Sequence, residues 1–394
     1  MKSDDRSGGM TLKLADRVRE MCPSLPRRIF DMAKELGEGV IDLTLGDPDV
    51  EPPLNVRQAA AEAILASRSR YTQNAGVREV REAIAAYQRR VCGRDVSADD
   101  VIVTVGAMGS IFQQLFSLVG PGDEVIIPAP YWVNYVEVTK LCGAKPVIVS
   151  AREENAFAVS VGDVAAALTP RTRVLVVNSP NNPSGRVMDE ATVRGLAALA
   201  AEHGLFVISD ECYRSLVYDG IRYTSIYDRP ELKGRCSVID AMSKQFSATG
   251  YRIGYTVGPR ELVARMAQLQ ENLNACAPTP LQYAAVEAYS ERTDTAYLRD
   301  EYLRRRSLVL DRLSRIPGLS VGGVDAAFYA FVNISRTGLD SMTFATRLLR
   351  EKKVAVVPGL AYGDAYDGFI RIAFTVECPV LSEAFDRIAD FTSR

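Results

Sequence analysis
From residue 101 onward the chain alternates short runs of β-branched and aliphatic residues with longer amphipathic stretches. No other feature restricts the fold as much. "VIVTV" at 101–105 leads into "GSIFQQLFSLV", where Ile111, Leu115 and Leu118 recur at helical spacing. "EVIIP" at 124–128 is strand-like, and "YWVNYVEVTKLCG" after it reads as a helix ending at Gly143. "KPVIVS", "RVLVVNSP", "LFVISDE" and "CSVIDAMS" supply four more such runs, and "VRGLAALAAEHG" is a crossover helix stopped by glycine. Runs that are apolar throughout belong to strands buried on both faces. The expectation is an α/β fold, a mostly parallel sheet with helices on both sides.

The flanks read differently. Residues 1–45 form an arm leading to "GVIDLTLGDPD". From about residue 290, long helices mix with strands: "EYLRRRSLVLDRLSRIPG" is charged on one face and leucine-rich on the other. "AAFYAFVNIS", "VAVVPG" and "FIRIAF" look like strands of a separate α+β unit. The expected division is a large domain at 46–285 and a smaller one built from 1–45 and 286–394.

Charge and cysteine usage exclude several classes. Lysine and arginine number 47 against 49 acidic residues, which lacks the basic surplus that offsets nucleic-acid phosphates. Cys22, Cys92, Cys142, Cys212, Cys236, Cys276 and Cys378 are scattered with no CxxC pair, the pattern of reduced thiols in a cytoplasmic protein. The start, "MKSDDRSGGMTLK", has no apolar core of a signal peptide, and no apolar run approaches the ~18 residues that span a bilayer. His203 is the only histidine, which removes histidine-rich metal sites and argues against a Ser-His-Asp triad. Placed just before Gly204, it reads as a helix C-cap. No metal is expected.

Ligands of an open parallel sheet bind at the carboxyl ends of its strands, so the residues that follow each run are the informative ones. After "VIVTV" comes "GAMGS", small residues opening a helix whose free N–H groups favour an anion. The later ends contribute "APYW", "NSPNNPSG", "DECY" and "SKQFSATGYR". Taken singly, each has a plain structural reading as a turn, a packed aromatic, a cap or a solvated lysine. Together they offer an anion nest, a flat ring, an amide, a carboxylate, a phenol, an amine and a guanidinium, which suits a planar, phosphorylated, electrophilic cofactor.

These segments, with "LTLGDPD", "YTQNAGVREVREAIAAY", "VGPGDEVIIPAPYW" and "FIRIAF", resemble the class I/II aminotransferases, pyridoxal-phosphate enzymes of fold type I, in the branch typified by bacterial aspartate aminotransferases. The resemblance covers nearly the whole chain after about residue 25. It implies a large domain with a mostly parallel seven-stranded sheet and a smaller α+β domain. It implies pyridoxal 5'-phosphate as cofactor, with Lys244 forming the internal Schiff base and later carrying the proton. Asp210 would pair with the pyridine nitrogen, while Tyr213, one helical turn on, and Asn182 would bond the ring hydroxyl oxygen. Trp132 would stack on the ring face. Arg252 would clamp the phosphate beside the backbone amides of Ala107 and Met108, and Tyr71 would reach the phosphate of the neighbouring subunit in a homodimer. Arg371 would bind the substrate α-carboxylate, with Gly46 leaving room. Two positions depart from the family pattern: Ala241 stands where Ser or Gly is usual, which leaves either Ser243 as its substitute at the phosphate or one phosphate contact fewer, and Tyr251 stands where Trp is common.

The expected function is an aminotransferase working by ping-pong half-reactions, moving the amine of aspartate or another common amino acid to a 2-oxo acid such as 2-oxoglutarate. A β-lyase, a decarboxylase or a specialised amino-acid synthase would use the same residues. A nicotinamide dehydrogenase lacks its GxGxxG, and a regulator lacks a helix-turn-helix. The segment "QENLNACAPTPLQY" at 270–283 offers no arginine for a distal carboxylate.

Overall fold
The computed structural model describes residues 12–19, 21 and 24–393; Cys22 and the first eleven residues of the arm lie outside it. Thirteen strands are present among these residues. In chain order they are β1 (Ile41–Asp42), β2 (Val101–Val105), β3 (Glu124–Ala129), β4 (Lys145–Ser150), β5 (Thr172–Asn178), β6 (Phe206–Asp210), β7 (Cys236–Ala241) and β8 (Ile253–Val257). The remaining five are β9 (Ser320–Val321), β10 (Tyr329–Asn333), β11 (Val354–Ala355), β12 (Val357–Pro358) and β13 (Phe369–Ala373).

Seven of them form the central sheet in the order β2-β8-β7-β6-β5-β3-β4. Only β8 runs against its neighbours, so β2 points the same way as β7 and the rest. Every residue of β7 is buried, and β2, β5 and β6 are nearly so. Fully burying each such Val or Ile contributes roughly 1.5–3 kcal/mol, which is why these runs carry no polar alternation. A second, antiparallel sheet of order β12-β13-β10-β9 lies in the C-terminal part. Strand β1 pairs with β11, tying the segment before residue 46 to the C-terminal part. One apolar cluster runs from Val125 and Ile208 of the central sheet to Phe344 and Phe385.

Local details correct the sequence reading in three places. "YWVNYVEVTKLCG" is helical only over Asn134–Leu141, with Cys142 at the C-cap and Gly143 in the left-handed region (φ 80°). "VAVVPG" is two strands that join different sheets. The interval from Asp210 to Tyr213 is a turn leading into a 3-10 segment at Arg214–Leu216, where an α-helical turn was expected. His203 caps the helix Glu190–Glu202 as expected, with Gly204 following at φ 66°. Among the described residues, no helix is long and apolar enough to cross a membrane.

Candidate active site
Because β2, β3, β5, β6 and β7 point the same way, the loops after them converge on one edge of the sheet. There they enclose a cavity of about 200 Å³. Lys244 enters it from the short helix Met242–Gln245 that caps β7. Its Nζ donates to the Gly46 carbonyl and stands 5.8 Å from the centroid of the Phe328 ring. Burial pulls this amine down to about 8, and the positive charges of Arg371 and Arg252 act in the same direction against Asp47. An amine in that range is available as a neutral nucleophile or base near physiological pH.

Asp210, the last residue of β6, is 4% exposed and faces the same cavity. The Tyr135 hydroxyl donates to its Oδ2 at 2.6 Å and the Cys212 N–H to its Oδ1 at 3.2 Å. Burial pushes its carboxyl up, with those two hydrogen bonds opposing. Among the described residues no basic side chain pairs with it, so it can accept a cation from a ligand.

The far end is an anion cradle. The helix Gly106–Leu118 begins directly at the end of β2; its first N–H, of Gly106, donates to the Arg252 carbonyl at 3.0 Å, which leaves those of Ala107 and Met108 for a ligand. Arg252, itself in the left-handed region at φ 56°, lies against this turn with its Nη1 donating to the Thr249 carbonyl at 2.9 Å. The cradle has room only for glycine: a Cβ at Gly106 would stand 2.5 Å from Arg252 Nη2, and one at Gly254 would stand 2.4 Å from the Gly106 carbonyl carbon. Ser243 and Thr249 add hydroxyls to the lining, and Ala241 adds none. Trp132 forms one wall, edge-on to Tyr135 with ring centroids 5.5 Å apart. An amine, an unpaired buried carboxyl, an aromatic wall and an anion cradle around one cavity fit a flat, phosphorylated ring bearing an aldehyde and a basic nitrogen.

A second compartment of about 400 Å³ shares Trp132, Asn182, Tyr213 and Lys244 with the first. Arg371, from β13, points into it; it is 5% exposed. Its Nη1 donates to Asn182 Oδ1 at 3.0 Å and its Nη2 to the Thr44 carbonyl, while its buried Nε has no partner. A buried, unsatisfied guanidinium N–H is a place for a carboxylate oxygen. Gly46 lies alongside, and Ser24, Arg27 and Phe30 at the start of the helix Leu25–Leu36 close the mouth. Tyr213 connects the compartments: its Oη is 3.4 Å from Asn182 Nδ2 and 2.9 Å from Tyr329 Oη.

Of the residues singled out from sequence, Tyr71 alone stands apart. It lines neither compartment and is 87% exposed. Sequence reasoning missed Tyr135, Asn178, Thr249, Phe328 and Tyr329. Tyr135 stands three residues after Trp132 on a recognised helix, and that spacing was the available signal. Asn178 ends β5 and accepts the Asn182 N–H at 2.9 Å, fixing the loop that carries Asn182.

Residues 38–388 match the profile of the aminotransferases of class I and II. Aromatic-amino-acid aminotransferase 2 of Thermococcus litoralis is 38% identical over 96% of this chain and 97% of its own length. The aspartate aminotransferase of Pyrococcus horikoshii is 36% identical over 95% and 96%, respectively. Among solved structures, the aspartate aminotransferase of Thermus thermophilus with maleate superposes with a TM-score of 0.91 at 35% identity, covering 96% of this chain and 99% of that one.

Proposed function
This chain belongs to the class I and II aminotransferases, and on that premise we propose that it moves an amino group from an L-amino acid to a 2-oxo acid in two half-reactions, with pyridoxal 5'-phosphate as cofactor. The observation that carries this reading is one cavity in which a near-neutral buried lysine, an unpaired buried aspartate and a glycine-lined anion cradle face each other. When bound, the cofactor supplies the aldehyde that receives the amino group and the ring that takes up electrons released at the substrate Cα.

The protein's own residues do the rest. Lys244 would hold the cofactor at its aldehyde, and its Nζ, once freed, would take the proton from the substrate Cα. Asp210 would keep a proton on the ring nitrogen, with Tyr135 holding the carboxylate in place. Arg252 and the amides of Ala107 and Met108 would bind the phosphate, with Ser243 supplying a hydroxyl where Ala241 has none. Tyr213 and Asn182 would hold the phenolic oxygen, and Trp132, one wall of the cavity, would cover the ring and exclude water. Arg371 would take the α-carboxylate through its free Nε and its Nη groups, which orients the Cα–H toward Lys244; the room expected at Gly46 is taken up by the Tyr329 hydroxyl.

For substrates we propose aspartate or another common amino acid with 2-oxoglutarate, in keeping with relatives named for aspartate and for aromatic amino acids. The working form is a homodimer in the cytoplasm, with the exposed Tyr71 reaching the partner's phosphate, and the domain division lies at residues 46 and 285. Borohydride reduction of the cofactor-loaded protein, followed by peptide mass mapping, tests the assignment. The adduct is expected on Lys244; an adduct on another lysine, or none, contradicts it.

A further inference from the structure
Tyr329 occupies the meeting point of the two compartments, and no strand-end motif accounts for it. Its Oη lies 2.9 Å from Tyr213 Oη. Its ring carries the Arg371 guanidinium 4.5 Å from its centroid. Its hydroxyl fills the space beside residue 46, where a Cβ would come within 1.8 Å of it. The side chain is 2% exposed. Contacts from β6–3-10 loop, β13 and the 44–46 segment therefore hold this phenol in one position.

A phenol has one proton to donate and an oxygen that accepts. Tyr213 can aim its proton at a ligand oxygen only if that proton is not spent on Tyr329. Among the described residues, Tyr213 Oη is the hydrogen-bond partner of the Tyr329 hydroxyl. We propose that Tyr329 is a positioning residue: it donates to Tyr213 Oη, so that the Tyr213 proton points at the cofactor's phenolic oxygen, while its ring face holds Arg371 ready for the substrate carboxylate. This rests on the proposed function above. Donation by Tyr329 polarises the Tyr213 hydroxyl and makes it a stronger donor. A stronger donor at the phenolic oxygen lowers that oxygen's attraction for the proton it shares with the neighbouring nitrogen.

The test uses the cofactor-loaded protein. Tyr329→Phe keeps the ring and removes the hydroxyl. It is expected to raise the pH midpoint of the visible absorbance change by roughly 0.3–1 unit, with KM for amino acids within about twofold, since the ring contact with Arg371 survives. In a Tyr213→Phe background the same substitution should move the midpoint far less, because the two hydroxyls act as a pair. Tyr329→Leu removes the ring as well and is expected to raise KM about 5–30-fold. A midpoint unchanged or lowered in Tyr329→Phe overturns the proposal, as does a shift undiminished by Tyr213→Phe or an unchanged KM in Tyr329→Leu. Failure of the underlying cofactor reading gives a different result: the parent protein itself then shows no visible band.

Discussion

Lys244 changes protonation within the working range because burial, helped by Arg371 and Arg252, holds it near 8. Its ordinary value is higher, about 10.4, so the folded protein binds this proton more weakly than the unfolded chain. Stability of the cofactor-free protein therefore rises with pH between about 8 and 10.4, and the burial penalty is full below 8. Lys244→Met is expected to raise the urea midpoint at pH 7, with the gain shrinking toward pH 10; equal midpoints at pH 7 would contradict the assigned burial cost. The same group sets reactivity. Covalent loading of the cofactor should accelerate as pH rises through about 8 and then level off, followed by stopped-flow absorbance. Lys244→Arg, charged throughout, should lose covalent loading and at least about 10²–10⁴-fold in kcat. Asp210→Asn retains the Tyr135 contact but not the negative charge, and should lower kcat with little change in KM, as removal of a group that matters only in the transition state does.

Elements place these residues, and their packing explains which parts of the site could be read in advance. The turn from β2 into the helix Gly106–Leu118 is pressed against β8 so closely that Gly254 has no room for a methyl group. Gly254→Ala should cost roughly 1–3 kcal/mol in strain and raise the cofactor dissociation constant more than the amino-acid KM, measured by equilibrium dialysis and steady-state kinetics. The strands around this turn were legible because both faces are buried, which leaves uniform apolar runs. "VAVVPG" was misread for the same reason. Val354, Ala355, Val357 and Pro358 are all buried, so their pattern does not reveal that β11 serves β1 while β12 serves β13. Strand-end motifs gave Lys244, Asp210, Asn182 and Arg252, since each follows a run that could be recognised. Tyr329 acts through a partner 116 residues away in the chain, and no local pattern encodes such a pairing; for Tyr135, whose partner is 75 residues away, the spacing from Trp132 was the one local signal.

The whole molecule must hold the edge of the sheet together against the charges it concentrates there. Arg94, just beyond the helix Arg78–Cys92, is buried against Glu211 at 2.9 Å and Asp228 at 2.6 Å, and also donates to Gln88. Glu211 directly follows Asp210, so this network anchors the end of β6 from behind. Arg94→Ala leaves Glu211 buried and short of its main cation, with Arg214 3.5 Å away as the remaining one, and should cost about 3–5 kcal/mol by urea unfolding. At the level of assembly, the proposed dimer predicts complementation. Mixing Lys244→Ala with Tyr71→Ala should rebuild one intact site in each heterodimer, giving about a quarter of parental activity for random pairing; no recovery would contradict shared sites. The central claim is that the chain transfers an amino group in separable halves, and one stoichiometric measurement addresses it directly. Cofactor-loaded enzyme is mixed with aspartate, or with the best amino acid of a screen, without any 2-oxo acid, and both the visible band and the oxo-acid product are followed. The account predicts loss of the band with one equivalent of the cognate 2-oxo acid per site, no ammonia, and return of the band when 2-oxoglutarate is added. Continued turnover without acceptor, releasing ammonia and oxo acid beyond one equivalent, would contradict it, as would a band that no amino acid changes.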